Sequence, residues 1–382
     1  MRCRVDREAR VPPYSRQQQA AALGVLSGVL DDLYGPFPSP GRPQLVGPDT
    51  HSIHDAGSPN AAVLTYLADF VRASAAAQLP LHAVTHHEYI EIDYSNVLNA
   101  SFLDESALLG AQVVAAVRAA SPSVEVWAGE VGPHNGGGGP THTPTNCAGN
   151  RVCGRFGSAL WYADAMAAKA AAGYAKFCRQ DAIGADYALL NATSAGGAPW
   201  SYTPSPDFWL LALWQRLVAG APGSRVSVLA ASVVGGGKGS TLRAYAFCAA
   251  AAGGGRAGEG EAVGAGVSAG APSAPAATAT LLLLNLAAAP ACVALPAGWA
   301  PPGANATLYA LSPGGAPPGA TPVESPDALL NGVRLAADAR GGLPVLAGAG
   351  VPADGAVTLP PTSVSFVVLP LGGSAPVAAC GG

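Results

Sequence analysis

The stretch that decides the reading is Val124–Pro140, VEVWAGEVGPHNGGGGP. Val124, Val126 and Trp127 have the β-branched and aromatic character of a buried strand, yet the run ends on a carboxylate, Glu130, and then opens into four consecutive glycines. A chain this apolar ordinarily leaves a strand through Asn, Asp or Gly. Glu130 needs a chemical reason to be there.

On both sides of this stretch, strand and helix patterns alternate. PQLVGPD (43–49) precedes a helix over 61–78, LHAVTHHEY (81–89) a helix over 105–119, and VEVWAGE (124–130) a helix over 156–177. DAIGADYALL (181–190) reads as one more strand and DFWLLALWQRLV (207–218) as a closing amphipathic helix. Repetition at this spacing predicts βαβ units and a parallel sheet, either a barrel or a doubly wound fold. Beyond Gly220 the pattern changes to short strands separated by Gly and Pro, among them TLRAYAFC (241–248), ATLLLLNL (279–286) and SVSFVVLPL (363–371), which predicts a β-sandwich. The expected domains are therefore 1–220 and 221–382. The Gly/Ala-rich stretch at about 249–279 offers no periodic apolar face and is expected to be a disordered insertion.

Composition narrows the function. The chain has 382 residues, 49% of them apolar, and a formal net charge of −4. Its lysines are Lys169, Lys176 and Lys238 alone and its arginines are scattered, so no basic patch exists for nucleic acid or a heavily sulfated polymer. A neutral or weakly charged ligand is expected. No run of about 18 uninterrupted apolar residues suits a transmembrane span. The N-terminal residues are charged where a signal peptide needs an apolar core, yet Asn99, Asn191 and Asn305 each head a glycosylation sequon. The seven cysteines lack paired C-x-x-C spacing, and their odd number leaves at least one free.

At the C-terminal ends of the predicted strands stand Asp49, His86, His87, Tyr89, Glu130 and Tyr187, and a (β/α)8 barrel carries its chemistry at those ends. Two other chemistries compete. All seven histidines lie in the first half with Cys147 and Cys153 close behind, but their spacings match no zinc motif and no metal is expected. The tetraglycine is followed by no Gly-Lys-Ser/Thr and opens no dinucleotide fingerprint, so no cofactor is expected either. It reads as a loop that lets backbone amides approach a ligand.

VTHHEY (84–89), VWAGEVGPHNGGG (126–138), FCRQDAIGADYALLN (177–191), SPDFWLLALWQRLVAG (205–220), LRAYAFC (242–248) and VAAC (377–380), taken in order, resemble the heparanase family of glycoside hydrolases, glycoside hydrolase family 79, and its plant heparanase-like members in particular. The resemblance implies a (β/α)8 barrel followed by a β-sandwich, with residues 1–220 holding about strands five to eight. It also implies a retaining mechanism on glucuronide-containing carbohydrate, endo- or exo-acting. Glu130 then matches the catalytic nucleophile, His87 and Tyr89 the family's His-x-Tyr, and Gly136 and Gly137 the amides that meet the substrate carboxylate. Gln180 and Tyr187 match substrate-binding positions, with Ala185 standing where the family has glycine. Cys248 and Cys380 match a family disulfide; Cys147 and Cys153 are candidates for a second, local one. Secretion to a cell wall, or a vacuolar or lysosomal location, is implied as well, with peripheral wall or membrane association left open.

Retaining glycosidases need two carboxyl groups, one to attack and one to protonate the leaving oxygen. The family's acid/base glutamate sits in an Asn-Glu motif that no part of this sequence before Gly47 contains. Asp6 and Glu8 lack that motif, and the expectation is a truncated chain that begins after the acid. The alternative is a non-catalytic carbohydrate-binding or wall protein that keeps the pocket and has dispensed with the acid.

Overall fold

The computed structural model describes residues 15–52, 54–55, 58–59, 61–135, 151–184, 186–193, 201–219, 226–234, 240–249, 278–338, 340–372 and 380. The chain divides into two compact units. Met1–Ile90, Leu108–Val131 and Ala172–Arg179 make the first; Glu91–Ala107, Gly132–Ala171 and Gln180–Gly382 make the second.

The first unit opens with helix α1 (Arg16–Tyr34). The Ser15 hydroxyl accepts from the Gln18 amide and the Gln18 side chain accepts from the Ser15 amide, a reciprocal capping box; Gly35, at φ 83°, ends the helix. Helix α2 (Ala61–Ala76) buries Val63, Leu67, Phe70, Val71 and Ser74, one face at helical spacing. The same unit holds a parallel sheet of β1 (Leu45–Val46), β2 (Thr50–Ser52), β3 (Leu81–Tyr89), β4 (Glu125–Gly132) and β5 (Lys176–Arg179). β1 and β2 both pair with β3, β3 neighbours β4, and β4 pairs with β5. Helices α3 (Ala100–Ala120) and α4 (Phe156–Ala172) follow β3 and β4 in the chain. Neighbours in this sheet succeed one another in sequence and the order never reverses. A doubly wound sheet reverses its order at a switch point, whereas a (β/α)8 barrel does not.

The last parallel strand is not where the sequence pattern put it. The helix expected to run to Phe177 stops at Ala172, and Lys176–Arg179 forms the strand, with Trp127 opposite Lys176 and Ala128 opposite Phe177. Gly173 explains the stop: it sits at φ 104°, where a Cβ would lie 2.5 Å from the Arg118 guanidinium. The stretch read as a strand over 181–190 instead contributes Ile183–Gly184 and the start of Leu190–Thr193 to a small separate sheet with Ser201–Pro204. Helix α3 begins at Ala100, earlier than expected, because the exposed Asn99 side chain accepts from the Ser101 amide at 3.0 Å and caps it. By length and composition alone α3 could cross a membrane; Leu103, Leu109, Val113 and Val117 on it are buried.

In the second unit an eight-stranded sheet runs in the order β6 (Val226–Leu229), β7 (Leu242–Ala249), β8 (Thr278–Asn285), β12 (Ser363–Pro370), β9 (Asn305–Pro313), β10 (Ala328–Leu330), β11 (Val333–Arg334), with Ala349–Pro352 also paired to β9. Its paired strands are antiparallel. Ala291–Ala294 and Ala356–Leu359 form a separate two-stranded sheet, and Val357 and Leu359 of that pair share one apolar cluster with Leu281, Leu283, Val367 and Leu369 of the large sheet. Ala249 pairs with Thr278 across the Gly/Ala-rich stretch, whose residues 250–277 lie outside the described ones.

Cys248 and Cys380 form the disulfide that the family resemblance implied, 132 positions apart in sequence and with their Cα atoms 5.3 Å apart. A loop of that length gives about 5 kcal/mol of stabilisation in the chain-entropy picture. Cys153 is also disulfide-bonded, Cys147 lies outside the described residues, and Cys178 and Cys292 are free and exposed.

Candidate active site

Glu130 lies near the C-terminal end of β4 with its side chain one-third exposed. On the neighbouring strand His87 and Tyr89, two residues apart, project from the same face. The Tyr89 hydroxyl donates a hydrogen bond to Glu130 Oε1, and His87 Nδ1 stands 3.5 Å from that same oxygen. The other ring nitrogen of His87, Nε2, lies 3.0 Å from Asp49 Oδ2. Asp49 is placed by the turn between β1 and β2, and Thr50, next to it, pairs with His86. Two side chains from the neighbouring strand thus converge on the Glu130 carboxylate, and a third, Asp49, reaches it only through His87.

Gly129 makes room for this arrangement. A Cβ there would come within 2.6 Å of Asp49 Oδ1 and 2.8 Å of Thr85 Cβ, so the glycine before the glutamate is required by packing.

On the opposite face of β3, His86 and Glu88 are fully buried. His86 Nδ1 is 3.0 Å from the His87 carbonyl, which only accepts, so in the neutral ring Nδ1 carries the proton and Nε2 accepts from the Tyr174 hydroxyl at 2.7 Å. Burial pushes the Tyr174 hydroxyl well above the usual tyrosine range, and the charge of Glu88 adds to the rise. Burial raises Tyr245 likewise, with Asp164 contributing. Both groups keep their protons in the folded protein, while an unfolded tyrosine ionises near pH 10. Their stabilising contribution is therefore full below about pH 10 and lost as the pH climbs above it. Urea unfolding free energies measured between pH 8 and 11.5 should stay level with respect to tyrosine up to about 10 and then fall, and Tyr174→Phe should shallow the fall.

The structure brings together Glu130, His87 and Tyr89 of the residues singled out from sequence. Gln180 and Tyr187 belong to the second unit, Gln180 half-buried and Tyr187 fully buried. Gly136 and Gly137 lie outside the described residues. Glu91, at φ 56°, accepts from the Asn135 amide at 2.8 Å and lies 2.9 Å from His134 Nε2. Asp49 was visible in the sequence as a polar strand end but without a partner; its pairing with His87 depends on strand adjacency. Among the described residues no set of three or more His, Cys, Asp and Glu side chains is arranged to hold a metal ion.

A strand-ordered parallel sheet with polar groups gathered at its C-terminal end is the class of fold and site found in barrel glycosidases. The solved structures agree on the fold. A 4-O-α-L-rhamnosyl-β-D-glucuronidase from Fusarium oxysporum superposes with a TM-score of 0.56 at 13% identity, over 93% of this chain and 65% of that one. A family 51 arabinofuranosidase from Xanthomonas axonopodis superposes with 0.53 at 12% identity, over 93% and 62%.

By sequence the chain is similar to heparanases, heparanase-like proteins and a β-glucuronidase. Heparanase-like protein 3 of Arabidopsis thaliana is 28% identical over 148 residues, 37% of this chain and 24% of that protein. The heparanase of Gallus gallus is 30% identical over 169 residues, 43% and 28%. The baicalin-β-D-glucuronidase of Scutellaria baicalensis is 29% identical over 178 residues, 44% and 28%. These matches span about a quarter of the length of each relative. No family model matches the chain.

Proposed function

We propose that the chain is the nucleophile-bearing part of a retaining glycosidase of the heparanase/β-glucuronidase type, acting on glucuronide-containing polysaccharide or proteoglycan. The observation that carries this reading is the convergence of the Tyr89 hydroxyl and the His87 ring on Glu130 at the end of a parallel strand. A carboxylate that accepts a hydrogen bond from a fixed hydroxyl is aimed, and attack on an anomeric carbon needs an aimed carboxylate. One Glu130 oxygen forms the bond to that carbon as the glycosidic bond breaks, and water later releases the sugar. We assign no residue of this chain to proton donation.

The scarcity of Lys and Arg supports a glucuronide of low sulfation. The reading includes residues 1–220 as part of a (β/α)8 barrel and 221–382 as a β-sandwich. It also includes an oxidising, extracellular or vacuolar setting, which the Cys248–Cys380 bridge supports. Asn99 and Asn305 are exposed, as glycan acceptors must be.

The test is covalent trapping with a glucuronyl fluoride whose neighbouring hydroxyl is replaced by fluorine. Fluoride departs without protonation, so trapping reports the nucleophile alone. Mass spectrometry should find one glucuronyl group on the peptide carrying Glu130. A label on another residue, or equal trapping by the glucosyl analogue, would overturn the assignment. Saturable glucuronide binding with no label would favour a carbohydrate-binding protein instead.

A further inference from the structure

We propose that Asp49 is a positioning residue for the nucleophile, acting through His87. The proposal rests on the reading of Glu130 just given and gives a role to a residue that the strand pattern places at a strand end and the family motif leaves without one. Three independent features of the structure meet at Asp49.

The first is its contact: Asp49 Oδ2 stands 3.0 Å from His87 Nε2, so a carboxylate that can only accept fixes the proton on Nε2. The ring's other nitrogen, Nδ1, lies 3.5 Å from Glu130 Oε1, so the turn of the ring set by Asp49 decides what the imidazole presents to the nucleophile. The second is its backbone, which sits at φ 58°, a left-handed conformation that a non-glycine residue adopts at some cost. The third is Gly129, since any other residue beside the nucleophile would drive a Cβ to within 2.6 Å of the Asp49 carboxylate. A carboxylate with an incidental surface contact would need neither the strained backbone nor the vacant Cβ.

The consequence is a line of groups, Asp49 to His87 to Glu130, in which the outer carboxylate sets the orientation of the imidazole and the imidazole sets the face it turns to the attacking oxygen. Asp49 itself touches neither the nucleophile's reacting oxygen nor a bound sugar in this scheme. Its loss should slow the attack without weakening the capture of the sugar.

Asp49→Asn is the informative change, because asparagine tolerates the left-handed backbone and keeps the shape while removing the charge. With the fluorinated glucuronyl fluoride as probe, the maximal trapping rate should fall roughly 10- to 100-fold, the range typical of partners that orient an active-site group. The half-saturating concentration and the thermal unfolding midpoint should stay as in the wild type. In a 15N-labelled sample the His87 Nε2–H resonance should move upfield as its carboxylate acceptor disappears. An unchanged trapping rate together with an unmoved Nε2–H resonance would overturn the proposal, as would a fall in rate that tracks a fall in the unfolding midpoint. If the wild type is not trapped at all, the nucleophile reading fails, and the imidazole resonance still decides whether Asp49 holds the ring.

Discussion

Glu130→Gln is expected to abolish covalent trapping while leaving the fold intact. Glutamine has the shape of glutamate and keeps an oxygen for the Tyr89 hydroxyl, so the hydrogen bond at the end of β4 survives the change. What disappears is the anionic oxygen, and an amide does not attack an anomeric carbon. Loss of a nucleophile costs on the order of 10⁴-fold or more in rate, which is about 5 kcal/mol of transition-state stabilisation. The variant should show no glucuronyl adduct after an exposure long enough to saturate the wild type, with an unfolding midpoint within a few degrees of it. A labelled variant would move the nucleophile elsewhere. An unfolded one would leave the wild-type adduct map to decide.

The sequence was most legible where local pattern and global fold agree. LHAVTHHEY reads as a strand and is one over Leu81–Tyr89, because β-branched and aromatic residues at that density have no helical alternative. The order of the parallel strands could not be read from pattern, which left barrel and doubly wound folds equally open; pairing decides between them. The run from Phe156 misled in the other direction. Its apolar residues continue past Ala172 at helical spacing, and only the left-handed Gly173 shows that the chain turns and extends into Lys176–Arg179. At the site, Glu130, His87 and Tyr89 could be named because their motifs are short and local. Asp49 could not be given a role, since it lies 38 residues from His87 and meets it only through the pairing of β2 with β3.

The second large effect is expected at Asp164, far in sequence from any motif that carries chemistry. Asp164 Oδ1 takes hydrogen bonds from Arg243 Nε at 2.5 Å and from the Tyr245 hydroxyl at 2.7 Å, and its side chain is only 2% exposed. Arg243 reaches on to Asp104 Oδ1 at 2.7 Å, which ties residues of α3 and α4 to β7 within the second unit. Burial works to lower the Arg243 pKa, but the charges of Asp164 and Tyr245 and the hydrogen bonds to Asp104 and Asp164 together outweigh it and hold the guanidinium protonated. Asp164→Ala therefore takes from a buried cation its buried partner, leaving it only the part-exposed Asp104, and leaves the Tyr245 hydroxyl without this acceptor. Breaking a buried pair from one side costs about 3 to 5 kcal/mol, a large share of the stability of an ordinary domain. Asp104→Ala should cost less, about 1 kcal/mol, because that carboxylate is 31% exposed and water can replace it. Replacing both partners by apolar residues of similar volume, as Asp164→Leu with Arg243→Met, should recover much of the loss, since the desolvation cost of the charges leaves with them. Urea unfolding of the single and double variants closes the cycle. A double variant no more stable than Asp164→Ala alone would mean that Asp164 matters for packing and not for the charge it faces.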